Sequence, residues 1–312
     1  MDVSIIIINW NTKEMLNECL DSIKKYTKDI NYEVIIVDNN SSDGSINMLK
    51  DKFKEFIIIE SKENLGFGRA HNLALPYING KYTLLLNPDT LIKENSIKQM
   101  VEFMDKNRNI GLLSCKLLNA DGSLQSSYWN FPNIREAIRE AIVNMAKIPF
   151  DLTKKINDLK QIKVSSKEIE CVMGAVMLLP SKLFLDINGF DDDYFMYGED
   201  MDICWVIKNM GYKVFYYVDT EIYHIFGQSS KQINYWREVK TSSALKLFLR
   251  KRRGKAYEII FRILKIILNT INILVYILFS FNKEYRYKIK SEFIKTICLI
   301  FNDKFLSKAF KV

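Results

Sequence analysis

In the first 90 positions, short continuous apolar runs typical of buried strands alternate with segments whose apolar residues have helical spacing. The first such helical segment lies between the runs Val3–Ile8 and Tyr32–Val37 and ends near Tyr26, with Asn11 or Thr12 as its cap. Strands alternating with helices at this spacing predict an α/β fold with a mainly parallel sheet flanked by helices. Ligands of such sheets bind beyond the carboxyl ends of the strands. The predicted strands are Val3–Ile8, Tyr32–Val37, Phe56–Ser61 and Lys81–Leu86.

The pattern changes twice in the rest of the chain. Residues 129–167 loosen into polar and helical pieces, which we interpret as elaboration on the acceptor side, and Ile169–Leu179 predicts one further strand. Beyond Gly227 a basic helix is expected through Leu245–Leu249. We therefore predict a catalytic domain over residues 1–228 and a helical extension over residues 229–312.

Charge is unevenly distributed along the chain. Residues 229–312 carry 19 Lys or Arg against 5 Asp or Glu, whereas the preceding 228 residues carry 26 basic and 32 acidic side chains. An acidic body with a basic tail argues against a general nucleic-acid binder and favours one local contact with an anionic surface. The phospholipid headgroups of a membrane are the expected partner.

Cysteine usage and the amino terminus indicate the compartment. The five cysteines are scattered and form no Cys-x-x-Cys pair, which argues against both a disulfide framework and structural zinc and fits a reducing cytosol. The apolar stretch Met1–Ile8 is too short for a signal sequence. We expect the catalytic part to stay in the cytoplasm.

The carboxyl-terminal tail combines apolar and basic residues. Ile266–Phe281 is uncharged for 16 residues, whereas a spanning helix needs about 20, and Arg262 and Lys265 interrupt the longer run. Basic flanks with interspersed aromatic residues favour a helix lying in the membrane interface, on the cytoplasmic face. The alternative is a helical hairpin that packs on the catalytic domain or joins two copies in a homodimer.

Two carboxylates follow predicted strands and are expected to face one cleft. Asp38 comes directly after the second strand, and Asn87-Pro88-Asp89 follows the fourth. A hard carboxylate at Asp89 suits a divalent cation that bridges it to a diphosphate. The alternative is that Asp89 caps a helix near Glu94 or closes a turn.

Ordered motifs along residues 3–227 resemble the inverting family 2 glycosyltransferases of the GT-A fold. The segments that carry the resemblance are Val37-Asp-Asn-Asn-Ser-Ser-Asp-Gly44, Asn64-Leu-Gly-Phe-Gly-Arg-Ala-His-Asn72, Leu84-Leu-Leu-Asn-Pro-Asp89, Gly174-Ala175, Gly189-Phe190-Asp191 and Phe195-Met-Tyr-Gly-Glu-Asp-Met-Asp-Ile-Cys-Trp205. One departure is that the first carboxylate of the family's acidic-x-acidic triplet is the amide of Asn87 here.

The resemblance implies roles for individual residues. Asp38 is expected to bind the nucleobase, and Asp89 a Mg²⁺ or Mn²⁺ ion. The remaining residues of the expected donor site are Asn9, Trp10, Asn11, Asn64, Gly66, Phe67, Arg69, Asn87 and Pro88, and those on the acceptor side are Gly174, Ala175 and Trp129.

The same resemblance makes Asp200 the expected catalytic base, with Glu199 beside it, and His224 a further metal ligand. A carboxylate at a helix start projects into the cleft and is favoured by the helix dipole. Ordinary helix capping is the competing interpretation for Glu199 and Asp200, and a structural role is the competing one for His224.

The expected function is metal-dependent transfer of a sugar from a nucleotide donor to a glycan, with inversion at the anomeric carbon. The resemblance favours dTDP-rhamnose as donor and leaves UDP-linked sugars open, and the membrane location favours a lipid-linked acceptor. The first alternative is an inactive, membrane-docked sugar-nucleotide-binding or scaffolding protein. The second is an NAD-dependent oxidoreductase, which is disfavoured because the third glycine of a dinucleotide fingerprint is His71.

Overall fold

The computed structural model describes residues 1–146, 165–225, 235–281, 283–301 and 305–306. The chain forms two compact units. The first contains residues 1–130 and 165–225, and the second contains the described residues of 131–146 and 235–306. Residues 131–146 therefore group with the carboxyl-terminal helices, although the predicted catalytic domain includes them. The functional boundary at residue 228 stays a prediction.

A mixed sheet forms the centre of the first unit, in the order β3-β2-β1-β4-β10-β6-β11-β5, with β8 paired to β11. Neighbours in the β3-β2-β1-β4 half are parallel, as are β6 and β11, whereas β10 is antiparallel to both β4 and β6. β7 and β9 form a separate antiparallel pair. The strands are β1 Val3–Asn9, β2 Tyr32–Asp38, β3 Ile57–Glu60, β4 Tyr82–Leu86, β5 Thr90–Leu91, β6 Ile110–Leu118, β7 Tyr128–Trp129, β8 Lys167–Ile169, β9 Cys171–Val172, β10 Val176–Pro180 and β11 Lys213–His224.

Helices cover the sheet and build the second unit. The helices of the first unit are α1 Lys13–Tyr26, α2 Ser45–Lys52, α3 Phe67–Asn72, α4 Ser96–Lys106, α6 Ser181–Asp186 and α7 Glu199–Asn209. Those of the second are α5 Ile134–Ala146, α8 Tyr235–Arg253, α9 Lys255–Ile277 and α10 Lys283–Ile300.

The core of the first unit confirms the predicted α/β architecture. All seven residues of β1 and all five of β4 are buried, as continuous apolar runs require of central strands. One face of α1, made by Leu16, Cys19, Leu20 and Ile23, packs into the same core. The carboxyl ends of β1, β2 and β4 therefore open at one edge of the sheet.

Two local predictions differ from the structure. Thr12 stands at the N-cap of α1, but its hydroxyl donates to Asn9 Oδ1 and Lys13 N–H donates instead to Asp43 Oδ2 at 2.8 Å. The single strand predicted over Ile169–Leu179 is wrong, because the chain leaves the central sheet after β8, pairs with β7 as β9, and returns to the central sheet only at β10. Gly174 N–H donates there to the Asp200 side chain, which a continuous strand would not allow.

Helix α9 of the second unit reverses the usual distribution of polar residues. Its buried positions include Glu258, Asn269 and Asn272, whose exposed fractions are at most 3%. Glu258 pairs with Arg250 and Arg262, and Arg262 also donates to the carbonyl of Leu299 in α10. The opposite face carries the exposed apolar side chains Ile259, Ile260, Ile263, Ile267, Ile271, Leu274 and Ile277.

The two cations that interrupt the apolar run in the sequence both point toward neighbouring helices. Arg262 reaches α10, and Lys265 pairs with Glu140 of α5. The outward face of α9 is therefore apolar from Ile259 to Ile277, apart from Thr270. Among the described residues, α9 is also the one helix long and apolar enough to cross a membrane by length and composition.

Candidate active site

A polar cluster closes the carboxyl ends of β1 and β2. Asp38 is buried, and its carboxylate accepts from Asn9 Nδ2 at 2.7 Å and from the N–H of Ser41 at 2.9 Å. Asn11 N–H donates to Ser41 Oγ, and Asn11 Oδ1 accepts from Ser42 N–H at 2.7 Å. These hydrogen bonds join the loop after β1 to the loop after β2. Each Asp38 oxygen keeps a second lone pair for a ligand.

Asn39 connects these two loops to the loop before α3. Its side-chain amide donates to Asn64 Oδ1 at 3.0 Å and to the carbonyl of Gly66 at 2.9 Å, and its oxygen accepts from Leu65 N–H. Asn39 is buried. Asn39 therefore fixes the Asn64–Phe67 loop, although its sequence pattern predicts no separate role for it.

Gly66 sits where only a glycine fits. Its φ of +82° lies in the left-handed range, and a Cβ there would lie 1.8 Å from the carbonyl oxygen of Phe195. Phe67 N–H donates to the same carbonyl at 2.9 Å. The Asn64–Phe67 loop is thus closed against the segment that leads into α7.

Asp200 lies in the first turn of α7 and reaches back toward the sheet. Its Oδ2 accepts from Gly174 N–H at 3.2 Å and its Oδ1 from Met201 N–H at 2.8 Å. A Cβ on Gly174 would lie 3.4 Å from the Phe67 ring and 3.6 Å from Asp200 Cβ. Gly174 therefore lies beside both the Phe67 ring and Asp200.

The Asn87-Pro88-Asp89 loop joins the same edge. Asn87 N–H donates to the carbonyl of Ala175 at 2.9 Å, directly beside Gly174. Asp89 does not cap α4, which begins at Ser96 with Asn95 as its N-cap. The structure thus brings Asp38, Asp89 and Asp200 to one edge of the sheet, as predicted from their places after strands and at a helix start.

The paired carboxyls of α7 have different surroundings. Burial, with the neighbouring Asp200 charge as a second cause, raises the pKa of Glu199 to about 8. Burial also raises the pKa of Asp200 to about 6, although N–H groups of Met201 and Gly174 favour its ionised form. At neutral pH Glu199 is therefore protonated while Asp200 is a carboxylate of increased basicity.

Asp89 and His224 meet because β5 pairs with the end of β11. Thr90 lies opposite His224 in this antiparallel pair, and Ile225 N–H donates to the carbonyl of Asp89. His224 Nε2 is 3.2 Å from Asp89 Oδ1, with both side chains mostly buried. Asp89 Oδ1 nevertheless has no hydrogen-bond partner.

This pair fits a divalent cation. A buried carboxylate oxygen without a hydrogen bond, facing an imidazole nitrogen, offers two of the ligands that Mg²⁺ or Mn²⁺ accepts. Within the described ranges, no three His, Cys, Asp or Glu side chains are grouped around a metal position. A cation held here would therefore complete its shell with waters or substrate oxygens.

Two family models match this sequence. The one described as "Glycosyl transferase family 2" matches residues 4–157, and "Glycosyl transferase family group 2" matches residues 82–283, well over half of the chain. The chain belongs to glycosyltransferase family 2. It is an enzyme that transfers a sugar from a nucleotide-sugar donor.

Named relatives of this glycosyltransferase include two rhamnosyltransferases. It is 26% identical over 226 residues to "Rhamnosyltransferase WbbL" of Escherichia coli (strain K12), covering 69% of this chain and 80% of the relative. It is 22% identical over 205 residues to "N-acetylglucosaminyl-diphospho-decaprenol L-rhamnosyltransferase" of Mycobacterium tuberculosis (strain CDC 1551 / Oshkosh), covering 61% and 66%.

Solved structures share the GT-A fold of this glycosyltransferase. The mannosyltransferase PcManGT from Pyrobaculum calidifontis, in complex with GDP-Man and Mn²⁺, superposes with a TM-score of 0.62 at 14% identity, over 96% of this chain and 85% of that one. GalNAc-T7 with UDP, GalNAc and Mn²⁺ gives 0.56 at 14% identity, over 80% of this chain and 48% of that one.

Other predicted residues of the glycosyltransferase lie at the rim of this edge. Trp10 is 51% exposed immediately after β1, and Trp129 is 38% exposed in β7, which pairs with β9. Arg69 in α3 donates from Nε to the carbonyl of Asp192 at 2.7 Å. The exposed indoles leave flat apolar faces free for a ligand ring.

Proposed function

We propose that this glycosyltransferase inverts the anomeric carbon in one displacement, with Asp200 as the base. The observation that carries the proposal is that Gly174 lies beside the Phe67 ring, next to the Asn64–Phe67 loop, and donates to the Asp200 carboxylate. A donor sugar bound at that loop would have its reactive carbon within reach of an acceptor hydroxyl deprotonated by Asp200.

Proton transfer sets what Asp200 must do. As the acceptor oxygen attacks the anomeric carbon, its proton passes to Asp200 Oδ while the bond to the nucleoside diphosphate breaks. A pKa of about 6 keeps Asp200 ionised at neutral pH and makes it a stronger base than an exposed aspartate. Protonated Glu199 adds no second negative charge beside it.

Asp89 and His224 are the proposed ligands of a Mg²⁺ or Mn²⁺ ion, with Asn87 and Pro88 shaping the loop around it. When bound, such a cation neutralises charge that develops on the leaving diphosphate. Asp38 and Asn9 would hold the nucleobase end of the donor, together with Asn11, Asn64, Gly66 and Arg69. Trp10 would cover the nucleotide, and Trp129 with Gly174 and Ala175 would line the acceptor side.

The proposed donor is dTDP-rhamnose and the proposed acceptor a lipid-linked glycan of the cell surface. Two named relatives are rhamnosyltransferases, and the name of one specifies a diphospho-decaprenol acceptor. UDP-linked sugars remain the alternative donors because the loops at the rim decide the choice of base and sugar.

The reaction is tested by comparing the wild type with Asp200→Asn in a transfer assay with dTDP-rhamnose and UDP-sugars, with and without Mn²⁺. Loss of a general base typically lowers turnover about 10²- to 10⁴-fold. The matched control is Asp186→Asn, an exposed aspartate of α6 paired with Lys182. Equal transfer by both variants would remove Asp200 from its role, and inactivity of the wild type with every donor would favour a binding or scaffolding protein.

We further propose peripheral attachment to the cytoplasmic face of the membrane. The reversed polarity of α9 supports it, because an exposed apolar face lowers its free energy by leaving water. Spanning is disfavoured because α9 packs on α10, whose Lys283, Arg286, Lys288 and Lys290 would have to enter the hydrocarbon as well. These cations suit the headgroup region of an anionic leaflet.

A further inference from the structure

The side chain of Gln125 contacts the imidazole of His224 on the side opposite Asp89. The Gln125 Oε1 atom lies 2.7 Å from His224 Nδ1. A tight turn brings Gln125 there, because Gln125 N–H donates to the carbonyl of Leu117 in β6, next to β11. The two residues are 99 positions apart in the sequence.

The direction of each hydrogen bond in this turn is fixed by its neighbour. Asp121 accepts from the Ser123 hydroxyl at 2.6 Å, so the Ser123 oxygen is free to accept from Asn119 Nδ2 at 2.8 Å. Asn119 then presents Oδ1 to Gln125, whose Nε2 donates to it at 3.0 Å. The Asp121 carboxylate can only accept, so it determines the orientation of both amides.

This orientation determines the tautomer of His224. With its Nε2 donating to Asn119 and to the backbone carbonyl of His224, Gln125 can offer only its oxygen to the imidazole, so the ring carries a proton on Nδ1. A neutral His224 then leaves Nε2 unprotonated 3.2 Å from Asp89 Oδ1, which is itself an acceptor without a hydrogen-bond partner. Two acceptors 3.2 Å apart repel each other unless a positive charge lies at them.

We propose that Gln125 is a positioning residue that holds His224 in its Nδ1–H tautomer, which keeps Nε2 available to a divalent cation shared with Asp89. The proposal rests on the metal role given above to Asp89 and His224. Without Gln125 Oε1, the imidazole is free to move its proton to Nε2 and to turn toward Asp89 Oδ1, 3.2 Å away, as a donor. That hydrogen bond would occupy both ligand atoms.

The tautomer is measured directly by ¹⁵N–¹H correlation spectra of the metal-free, full-length chain labelled at histidine. The chain has only two histidines. The other, His71, is buried and its Nδ1 bonds the carbonyl of Phe67, so it provides an internal reference for an Nδ1–H imidazole. We expect His224 to be protonated at Nδ1 in the wild type and at Nε2 in Gln125→Met.

Cation affinity is measured in the same proteins by electron paramagnetic resonance of Mn²⁺, with dTDP and with UDP present. Loss of a group that orients a ligand typically weakens metal binding about 10- to 100-fold, which we expect for Gln125→Met. Gln125→Glu keeps an acceptor opposite Nδ1–H and should bind Mn²⁺ within a few-fold of the wild type. Gln99→Met, the same change on α4, is the matched control.

Different results would contradict the role of Gln125 and the proposed metal site. Wild-type protein with Nε2–H at His224, or a Gln125→Met variant with unchanged tautomer and Mn²⁺ affinity, would overturn the role of Gln125. A wild type with the Nδ1–H tautomer but no Mn²⁺ affinity with either nucleotide would instead contradict the metal site. Thermal unfolding curves of all variants ensure that weak binding is not caused by loss of the fold.

Discussion

At the scale of single residues, the environment of Asp200 determines when the enzyme can work. The base is active only as a carboxylate, and burial raises its pKa to about 6. We therefore expect kcat/KM to rise with pH, to reach half its plateau near pH 6 and to level off above pH 7, provided transfer is limited by this group. A pH profile of initial rates checks this, and a plateau that extends down to pH 4.5 would contradict it.

Glu199 predicts a separate dependence of stability on pH. Its pKa in the fold is about 8, above that of an unfolded glutamate, so the folded chain binds the extra proton and its free energy of unfolding falls as pH rises between about 4.5 and 8. Glu199→Gln removes this dependence. The melting temperature of the variant relative to wild type should therefore increase steadily over that interval.

Thermal unfolding at pH 4.5, 6 and 8 measures this difference. Glu168→Gln is the control, because that carboxylate is paired with Lys208 near the surface and its pKa is lowered rather than raised. A constant difference between Glu199→Gln and wild type at all three pH values would show that Glu199 is not protonated in the fold.

Residue positions could be predicted from the sequence only where local pattern decides them. Asp38 ends one buried strand and Asp89 follows another, so their shared edge can be predicted from parallel strands, whereas the place of Asp200 follows only from the family resemblance and a helix start. Asn39 and Gln125 could not be found in this way, because each acts through a partner brought near by a loop. An amide in a turn carries no signal of what its side chain will meet.

At the scale of elements, Gly66 lets the Asn64–Phe67 loop, which we propose binds the donor, pack against Phe195. Gly66→Ala would place a Cβ against the Phe195 carbonyl, and a backbone with this φ is strained for any other residue. We expect the loop to move away from residues 195–200 and affinity for dTDP or UDP to fall at least tenfold. Isothermal titration of both nucleotides measures the change.

The matched control for Gly66→Ala is Gly211→Ala. Gly211 has a similar φ of +88°, but no atom lies within 4 Å of the added Cβ. Both variants add a Cβ to a backbone of positive φ, but only Gly66→Ala brings it against Phe195, on a backbone whose ψ of −164° is open almost solely to glycine. Equal nucleotide affinity in the two proteins would show that the closed loop does not hold the donor.

Apolar runs predict elements well only where burial is uniform. β1 and β4 are buried on both faces and their sequences show it, whereas Ile169–Leu179 is apolar throughout yet breaks at Gly174 to meet Asp200. For helix α9 the sequence pattern instead underestimates how apolar the exposed surface is. Arg262 and Lys265 make it look unsuited to lipid, but both point toward other helices.

At the scale of the whole molecule, the uneven charge predicts how the protein partitions. The 14 excess positive charges of residues 229–312 should bind vesicles containing phosphatidylserine more tightly than neutral ones, and less tightly as salt rises. The apolar face of α9 adds a contribution that salt does not screen. Wild type sedimented with vesicles over a salt series should therefore show both components.

The apolar component is isolated by Ile263→Gln with Leu274→Gln, which adds no charge to two residues that are 54% and 60% exposed. Each removed side chain costs about 1.5–3 kcal/mol of transfer free energy, so vesicle affinity should fall at least tenfold at every salt concentration. Leu185→Gln, an exposed leucine of α6 in the first unit, is the matched control.

If the double variant instead keeps its vesicle affinity and loses a concentration-dependent dimer, the face of α9 binds a second copy of the chain. In that case the cations alone would account for membrane attachment, and high salt should abolish vesicle binding completely.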